Sequence, residues 1–107
     1  MAYIHKELAE GGWQRFTLAE QIGNVGSEVS RAIRARGKDE ALYQGALVRA
    51  FELFDLTLAD SRWQGRLREV ARAREVFADA ILGGNEYKST LEDILRYCDA
   101  FALATRR

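Results

Sequence analysis

The chain contains no proline, one cysteine and one histidine among its 107 residues. With Cys98 alone, no disulfide can form within the chain and no cysteine-based metal site can be assembled from it. His5 lies near the N-terminus, so imidazole chemistry, whether general-base catalysis or metal binding, has almost nothing to work with. A glycine-rich phosphate-binding loop of the GxxxxGK[ST] type is also missing. The sequence therefore gives no reason to expect a cofactor.

Neither sign of charge is in excess, because 16 Lys and Arg residues balance 16 Asp and Glu residues. Proteins that bind nucleic acid usually carry a basic excess or a basic face, so such a partner would depend on a local patch here. Charged residues make up 30% of the chain and interrupt every apolar run, so we expect no membrane partner. His5, Lys6 and Glu7 occupy the place of a signal peptide's apolar core, which favours a cytoplasmic location.

What the chain does contain is apolar residues at helical spacing. The first predicted helix runs from about Thr17 to Arg36, opens with a capping box of Thr17 and Glu20, and stops at Gly37, a residue suited to a left-handed turn. Its apolar seam alternates spacings of four and three. A second face carries small residues that would let a neighbouring helix approach closely: Gly23, Gly26 and Ser30.

The second predicted helix, from about Asp39 to Asp60, is apolar nearly all round. Arg49, Glu52 and Asp55 are the only charged residues between Ala41 and Ala59. A helix with apolar residues on every side is normally central in a bundle. We therefore expect its own chain or another subunit to cover it on more than one side.

The third predicted helix spans about Gln64 to Leu82, after a turn at Ser61 to Gly65, and ends at Gly83–Gly84. Trp63 begins its apolar stripe and is expected in the core. Ser89 and Glu92 have the spacing of a further capping box and would open the last helix. Its inner face would hold the following side chains: Leu91, Ile94, Leu95, Cys98, Phe101 and Ala102.

Four helical segments with short connections predict an all-α fold, an antiparallel four-helix bundle. At this length the chain can bury one core, so we interpret residues 1–107 as a single domain. Residues 1–16 are a possible arm or a short extra helix. Trp13 and Phe16 would either staple the first helix or form a docking arm.

An arginine-rich segment in and before the third helix is the candidate binding site for a partner. Its members are Arg62, Arg66, Arg68, Arg72 and Arg74. Glu69 and Glu75 dilute the strip, since each lies three residues from Arg72 and can pair with it. Arg74 interrupts the apolar stripe between Val70 and Phe77. If buried, its guanidinium needs an acceptor, and Glu52 or Asp55 would supply one; the alternatives are that Arg74 faces solvent, a ligand or a subunit.

Carboxylates are the candidate metal ligands, because helical bundles can direct Asp and Glu inward to bind divalent ions. Glu52 and Asp55 are three residues apart, and Glu75 and Asp79 are four apart, so each pair shares a helical face. Glu28 on the first helix is a further candidate. The iron motif Glu-x-x-His is absent, and only half of a MazG-type pyrophosphohydrolase motif is matched, by Glu52 and Asp55. The main interpretation remains that no metal binds and that these carboxylates pair with arginines.

The stretch from Leu18 to about Asp60 resembles the middle of the four-helix-bundle proteins encoded in intervening sequences of 23S ribosomal RNA, whose relatives include accessory proteins of diversity-generating retroelements. The matching features are Gln21–Ile22, the small residues Gly26–Ser27, the turn at Arg36–Gly37 and an apolar helix that ends near Leu58–Ala59. The family's longer first helix and its Asn-Ile-Ala-Glu-Gly run are not present. The resemblance implies a ring-like homo-oligomer that binds nucleic acid or an enzyme acting on it.

These observations favour a non-enzymatic, homo-oligomeric scaffold or adaptor for a macromolecular partner, and a protein is one candidate for that partner. Two alternatives remain open. One is a nucleic-acid-binding accessory that uses the arginine-rich segment, and the other is a small metal-dependent hydrolase.

Overall fold

The computed structural model describes residues 12–83 and 88–105. Four helices form the molecule: α1 (Leu18–Ala35), α2 (Glu40–Leu58), α3 (Leu67–Ile81) and α4 (Leu91–Thr105). Short 3-10 turns at Gly12–Arg15 and Ser61–Arg66 precede α1 and α3. The described part of the chain contains no strand. The predicted all-α, antiparallel four-helix bundle is confirmed.

Three of the predicted helix ends are confirmed, one by a capping box and two by glycines with positive φ. The Thr17 hydroxyl accepts from the Glu20 amide at 3.1 Å, and the Glu20 carboxylate accepts from the Thr17 amide at 2.8 Å, which forms the capping box. Gly37 has a φ of 77° and so provides the left-handed turn after α1. Gly83 has a φ of 110° and follows α3, as predicted. Gly84, the second glycine predicted to end this helix, lies outside the described residues.

The start of α4 differs from the prediction by one residue. Thr90 and Asp93, rather than Ser89 and Glu92, exchange the capping-box hydrogen bonds, at 3.2 and 3.0 Å. Both pairs have the same spacing, and the pattern alone does not choose between them. The observed start leaves Glu92 free of the cap, and it pairs instead with Arg36 at the end of α1, with an Nη2–Oε2 distance of 2.5 Å.

The start of α3 also differs from the prediction. The α-helix begins at Leu67 rather than near Gln64, because residues 61–66 form a 3-10 turn with non-helical dihedral angles at Trp63. The Asp60 side chain caps that turn by accepting from the Arg62 amide at 3.1 Å. Trp63 is consequently half-buried at the edge of the bundle rather than inside the core.

The core lies along α1 rather than α2. Ten of the 18 residues of α1 are buried, against six of 19 in α2, and α1 packs closely against both α2 and α4. The prediction that the second helix is the central one is therefore corrected. The fully buried large apolar side chains at the centre come from the first 3-10 turn and all four helices: Trp13, Ile22, Val25, Val29, Phe54, Val70, Phe77 and Cys98.

The small-residue face of α1 is where α4 approaches. A Cβ atom built on Gly26 would lie 3.2 Å from Cys98 Cβ, which is closer than most real contacts. Gly26 therefore permits the close packing of α1 against α4, as expected for one of the three small residues. The predicted inner face of α4 is also confirmed, since five of its six members are buried and Leu95 is half-buried.

No helix in the described ranges is long and apolar enough to cross a membrane.

Candidate interaction surface

Trp13 is wedged into the bundle, so the segment before α1 is anchored from residue 12 onward. The Trp13 side chain is 1% exposed and its indole Nε1 donates to Thr57 Oγ1 on α2 at 3.1 Å. Phe16 packs edge-on against it, with ring centroids 5.5 Å apart. Trp13 is therefore a core residue that docks the segment before α1 onto the bundle. The earlier part of the predicted arm, residues 1–11, lies outside the described residues.

A network of hydrogen bonds, largely buried, connects Trp13 to the segment between α2 and α3. Gln21 Nε2 donates to the Trp13 carbonyl at 2.9 Å and to Asp60 Oδ2 at 3.0 Å, while Gln21 Oε1 accepts from Trp63 Nε1 at 2.9 Å. Arg62 donates to the Asp60 carboxylate from Nε at 3.0 Å and from Nη2 at 2.6 Å. Every buried side-chain nitrogen and oxygen among the described residues has a partner. We call these side chains the Asp60 network: Trp13, Gln21, Thr57, Asp60, Arg62 and Trp63.

Electrostatics in this network identify Asp60 as a structural carboxylate. The hydrogen bonds from Arg62, against the opposing effect of burial, lower the pKa of Asp60 from 3.8 to about 2. The guanidinium of Arg62 also donates to the Phe16 carbonyl at 2.7 Å and lies 4.4 Å above the Trp63 ring. Sequence reasoning missed Gln21 and Asp60 as a pair. The available signal was Asp60 before Ser61, a residue type that caps helices.

The predicted arginine strip is divided among different neighbours. Arg62 holds Asp60, Arg66 lies 5.4 Å above the Phe101 ring on α4, and Arg74 pairs with Asp55 on α2 at 2.7 Å. Arg68 and Arg72 are exposed, and Arg72 lines a pocket with Asp93 and Tyr97 of α4. The five arginines therefore have different neighbours, and Arg62 and Arg74 are each paired with an aspartate.

Arg74 has the predicted acceptor but not the predicted surroundings. Its partner is Asp55, and its guanidinium also lies 5.1 Å above the Phe51 ring. The two side chains of the ion pair are 36% and 50% exposed, so the pair is at the surface. The desolvation argument for a buried guanidinium does not apply, and solvent weakens the interaction.

The candidate metal ligands are not assembled into a site in the described ranges, where no group of three or more potential ligands occurs. Asp55 is engaged by Arg74, and Glu52, Glu75 and Asp79 also take part in interactions. Glu28 is buried between two helices and accepts from Arg31 at 2.8 Å and from Arg49 of α2 at 3.2 Å. Arg49 reaches it by lying across Gly45, where a Cβ atom would come within 3.3 Å of Nη1.

The outer side of α2 carries exposed apolar residues. Leu42 is 52% exposed and Val48 is 49% exposed, and Gly45 lies between them at a spacing of three in both directions. Residues at that spacing are neighbours on a helix. Arg49 is turned toward α1 and Asp55 toward α3, so these two charges are already satisfied within the chain. We call Leu42, Gly45 and Val48 the α2 ridge.

No known protein family, curated protein or solved structure matches this chain.

Proposed function

We propose that this protein is a helical-bundle scaffold that self-associates through the α2 ridge. The observation that carries the proposal is the exposure of Leu42 and Val48 on the most apolar helix of the bundle. A helix that interacts only with its own bundle usually confines its apolar residues to one stripe. In α2 the apolar residues continue onto the side that the rest of the chain leaves open.

A second copy of the chain is the partner that best suits this ridge. Val48 lies next to the midpoint of α2, so a two-fold axis there would place the same side chain from both copies in contact. Because Arg49 and Asp55 are paired within each copy, the contact would not bury an uncompensated charge from either residue. The oligomeric assembly implied by the family resemblance is of the same general kind.

Sedimentation velocity over a range of protein concentrations tests the proposal. Wild-type protein should sediment as a species larger than the monomer, and Val48→Glu should sediment as a monomer with an unchanged helical circular dichroism spectrum. Leu103→Glu is the matched control, because Leu103 is 63% exposed on α4 and away from the ridge. A wild-type monomer at every concentration, or equal disruption by both variants, would contradict self-association through α2.

A further inference from the structure

A cleft of about 410 Å³ lies between the exposed side of α1 and α4, with no residue of α2 in its wall. That volume falls in the range of sites for small molecules. Its polar side chains come from both helices: Ser27, Ser30, Arg31 and Arg34 from α1, and Asp99 from α4. We call it the α1–α4 cleft.

The cleft opens where α1 and α4 separate. At Gly26 the helices are in close contact, whereas a Cβ atom on Gly23, one turn earlier, would meet nothing within 4 Å. Gly23 lies inside α1 and has no positive φ. Glycine in a helix interior is destabilising relative to alanine, and neither close packing nor backbone conformation requires it here. Its effect is to leave that side of the cleft open.

Positive charge in the cleft exceeds what the neighbouring carboxylates neutralise. The guanidinium of Arg34 is exposed, and its contact in the described ranges is with Ser30 Oγ at 3.1 Å. Arg31 pairs with Glu28, but that carboxylate is shared with Arg49. The Ser30 hydroxyl accepts from Arg34 and so keeps its proton for another acceptor. Two guanidiniums and one hydroxyl can therefore donate to a bound oxyanion.

Asp99 limits which anions fit. Its carboxylate lies near Gly26 at the cleft wall, where a Cβ atom on that glycine would be 3.8 Å from Oδ1. A ligand with negative charge at both ends would be repelled there, whereas a hydroxyl or amino group could donate to it. A long polyanion is disfavoured for the same reason and by the zero net charge of the chain.

We propose that the α1–α4 cleft binds a small phosphomonoester, with its phosphate against Arg31, Arg34 and Ser30 and a hydroxyl group of the ligand donating to Asp99. Phosphate is favoured over carboxylate because its three terminal oxygens can accept from all three donors at once. The cleft and the α2 ridge share no residue, but they are adjacent, because Leu42 of the ridge lines a neighbouring pocket with Arg31 and Arg34.

Nuclear magnetic resonance titration of the ¹⁵N-labelled protein with glycerol 3-phosphate and with inorganic phosphate tests the site. At about 10 mM, a site with a millimolar dissociation constant is nearly saturated. The backbone amides of residues 23–34 and 95–99 should shift. Arg34→Gln should weaken binding about tenfold, the loss expected for a charge-assisted hydrogen bond. Arg68→Gln, an exposed arginine of α3, is the matched control and should bind like the wild type.

Two further variants test the shape and the specificity of the cleft. Gly23→Leu should fill the open side and abolish the shifts while leaving the melting temperature at or above that of the wild type. Asp99→Asn should reduce the preference for glycerol 3-phosphate over inorganic phosphate. The proposal is overturned if no shift occurs in the wild type, or if Arg34→Gln and Arg68→Gln weaken binding equally. Tighter, strongly salt-dependent binding of a single-stranded oligonucleotide would also overturn it and assign the surface to nucleic acid.

Discussion

Asp60 illustrates how one residue can join three segments of a small bundle. Its carboxylate accepts from Gln21 of α1 and from Arg62 of the 3-10 turn, and the latter also donates to the Phe16 carbonyl. Only 1% of Asp60 is exposed, so these hydrogen bonds replace almost all of its hydration. Replacing one carboxylate oxygen by an NH2 group would leave at least one of these donors facing another donor.

Asp60→Asn should destabilise the protein at neutral pH by roughly 2 kcal/mol, the free energy that corresponds to the lowering of its pKa from 3.8 to about 2. A lowered pKa in the folded state stabilises the fold above the unfolded-state pKa, and this contribution is lost as pH falls from about 4 toward 2. Urea denaturation at pH 7 and pH 3 measures the effect. The difference in free energy of unfolding between wild type and Asp60→Asn should be smaller at pH 3 than at pH 7. Asp99→Asn, at an exposed position, should have the same free energy of unfolding as the wild type at both pH values.

Arg74→Leu should change the free energy of unfolding by less than about 1 kcal/mol, because exposed ion pairs contribute little. The half-exposed side chains of Arg74 and Asp55 place this pair in that class. Thermal denaturation measures the change. A loss of several kcal/mol would mean that the pair is buried in solution and would contradict the surface described for α2 and α3.

At the level of elements, α2 is held by aromatic packing on one side. Phe54 is fully buried, and its ring centroid lies 5.6 Å from that of Phe77 on α3. Phe54→Ala should cost about 3–5 kcal/mol, since truncation removes buried surface and leaves a cavity. Chemical denaturation checks this value. Leu103→Ala, at an exposed position of α4 outside the α2 ridge, is the control and should cost much less.

The start of α4 gives a second element-scale prediction. Thr90→Ala and Asp93→Ala should each cost about 1 kcal/mol, as expected for loss of an N-terminal cap. Because the two side chains form one capping box, the double variant should cost less than the sum of the single ones. Thermal denaturation of the three variants measures the coupling, and strict additivity would show that the helix begins elsewhere.

At the scale of the whole molecule, α1 takes part in the core, in an ion pair between helices and in the proposed ligand cleft. Its inner side forms the core with α2 and α4, Arg36 at its end pairs with Glu92, and its outer side lines the α1–α4 cleft. The hydrogen bonds between Arg36 and Glu92 raise the pKa of the Arg36 guanidinium and lower the pKa of the Glu92 carboxyl group. The pair therefore remains ionised at neutral pH and links the α1 C-terminus to the α4 N-terminus.

Self-association also makes a prediction about stability. If folded copies bind each other through α2, the melting temperature of the wild type should rise with protein concentration, because association stabilises only the folded state. Val48→Glu should melt at a temperature that does not depend on concentration. Differential scanning calorimetry over a range of concentrations measures both. A wild-type melting temperature that does not change with protein concentration would contradict the association.

The sequence determined the helical elements because their signals are local. Periodic apolar residues, the Thr17–Glu20 capping box and Gly37 all act within a few residues of themselves, so the bundle could be predicted from them. Where two local signals were equivalent, as at Ser89 and Thr90, the pattern could not decide which began α4.

Only the tertiary structure decided which residues meet. The Gln21–Asp60 contact joins positions 39 residues apart, and the choice of α1 over α2 as the most buried helix depends on how four helices share their surfaces. The same packing gave the arginines of one segment different neighbours and placed Arg31, Arg34 and Asp99 in the wall of one cleft. Such contacts follow from the geometry of packing between distant segments, and no local pattern in the chain encodes them.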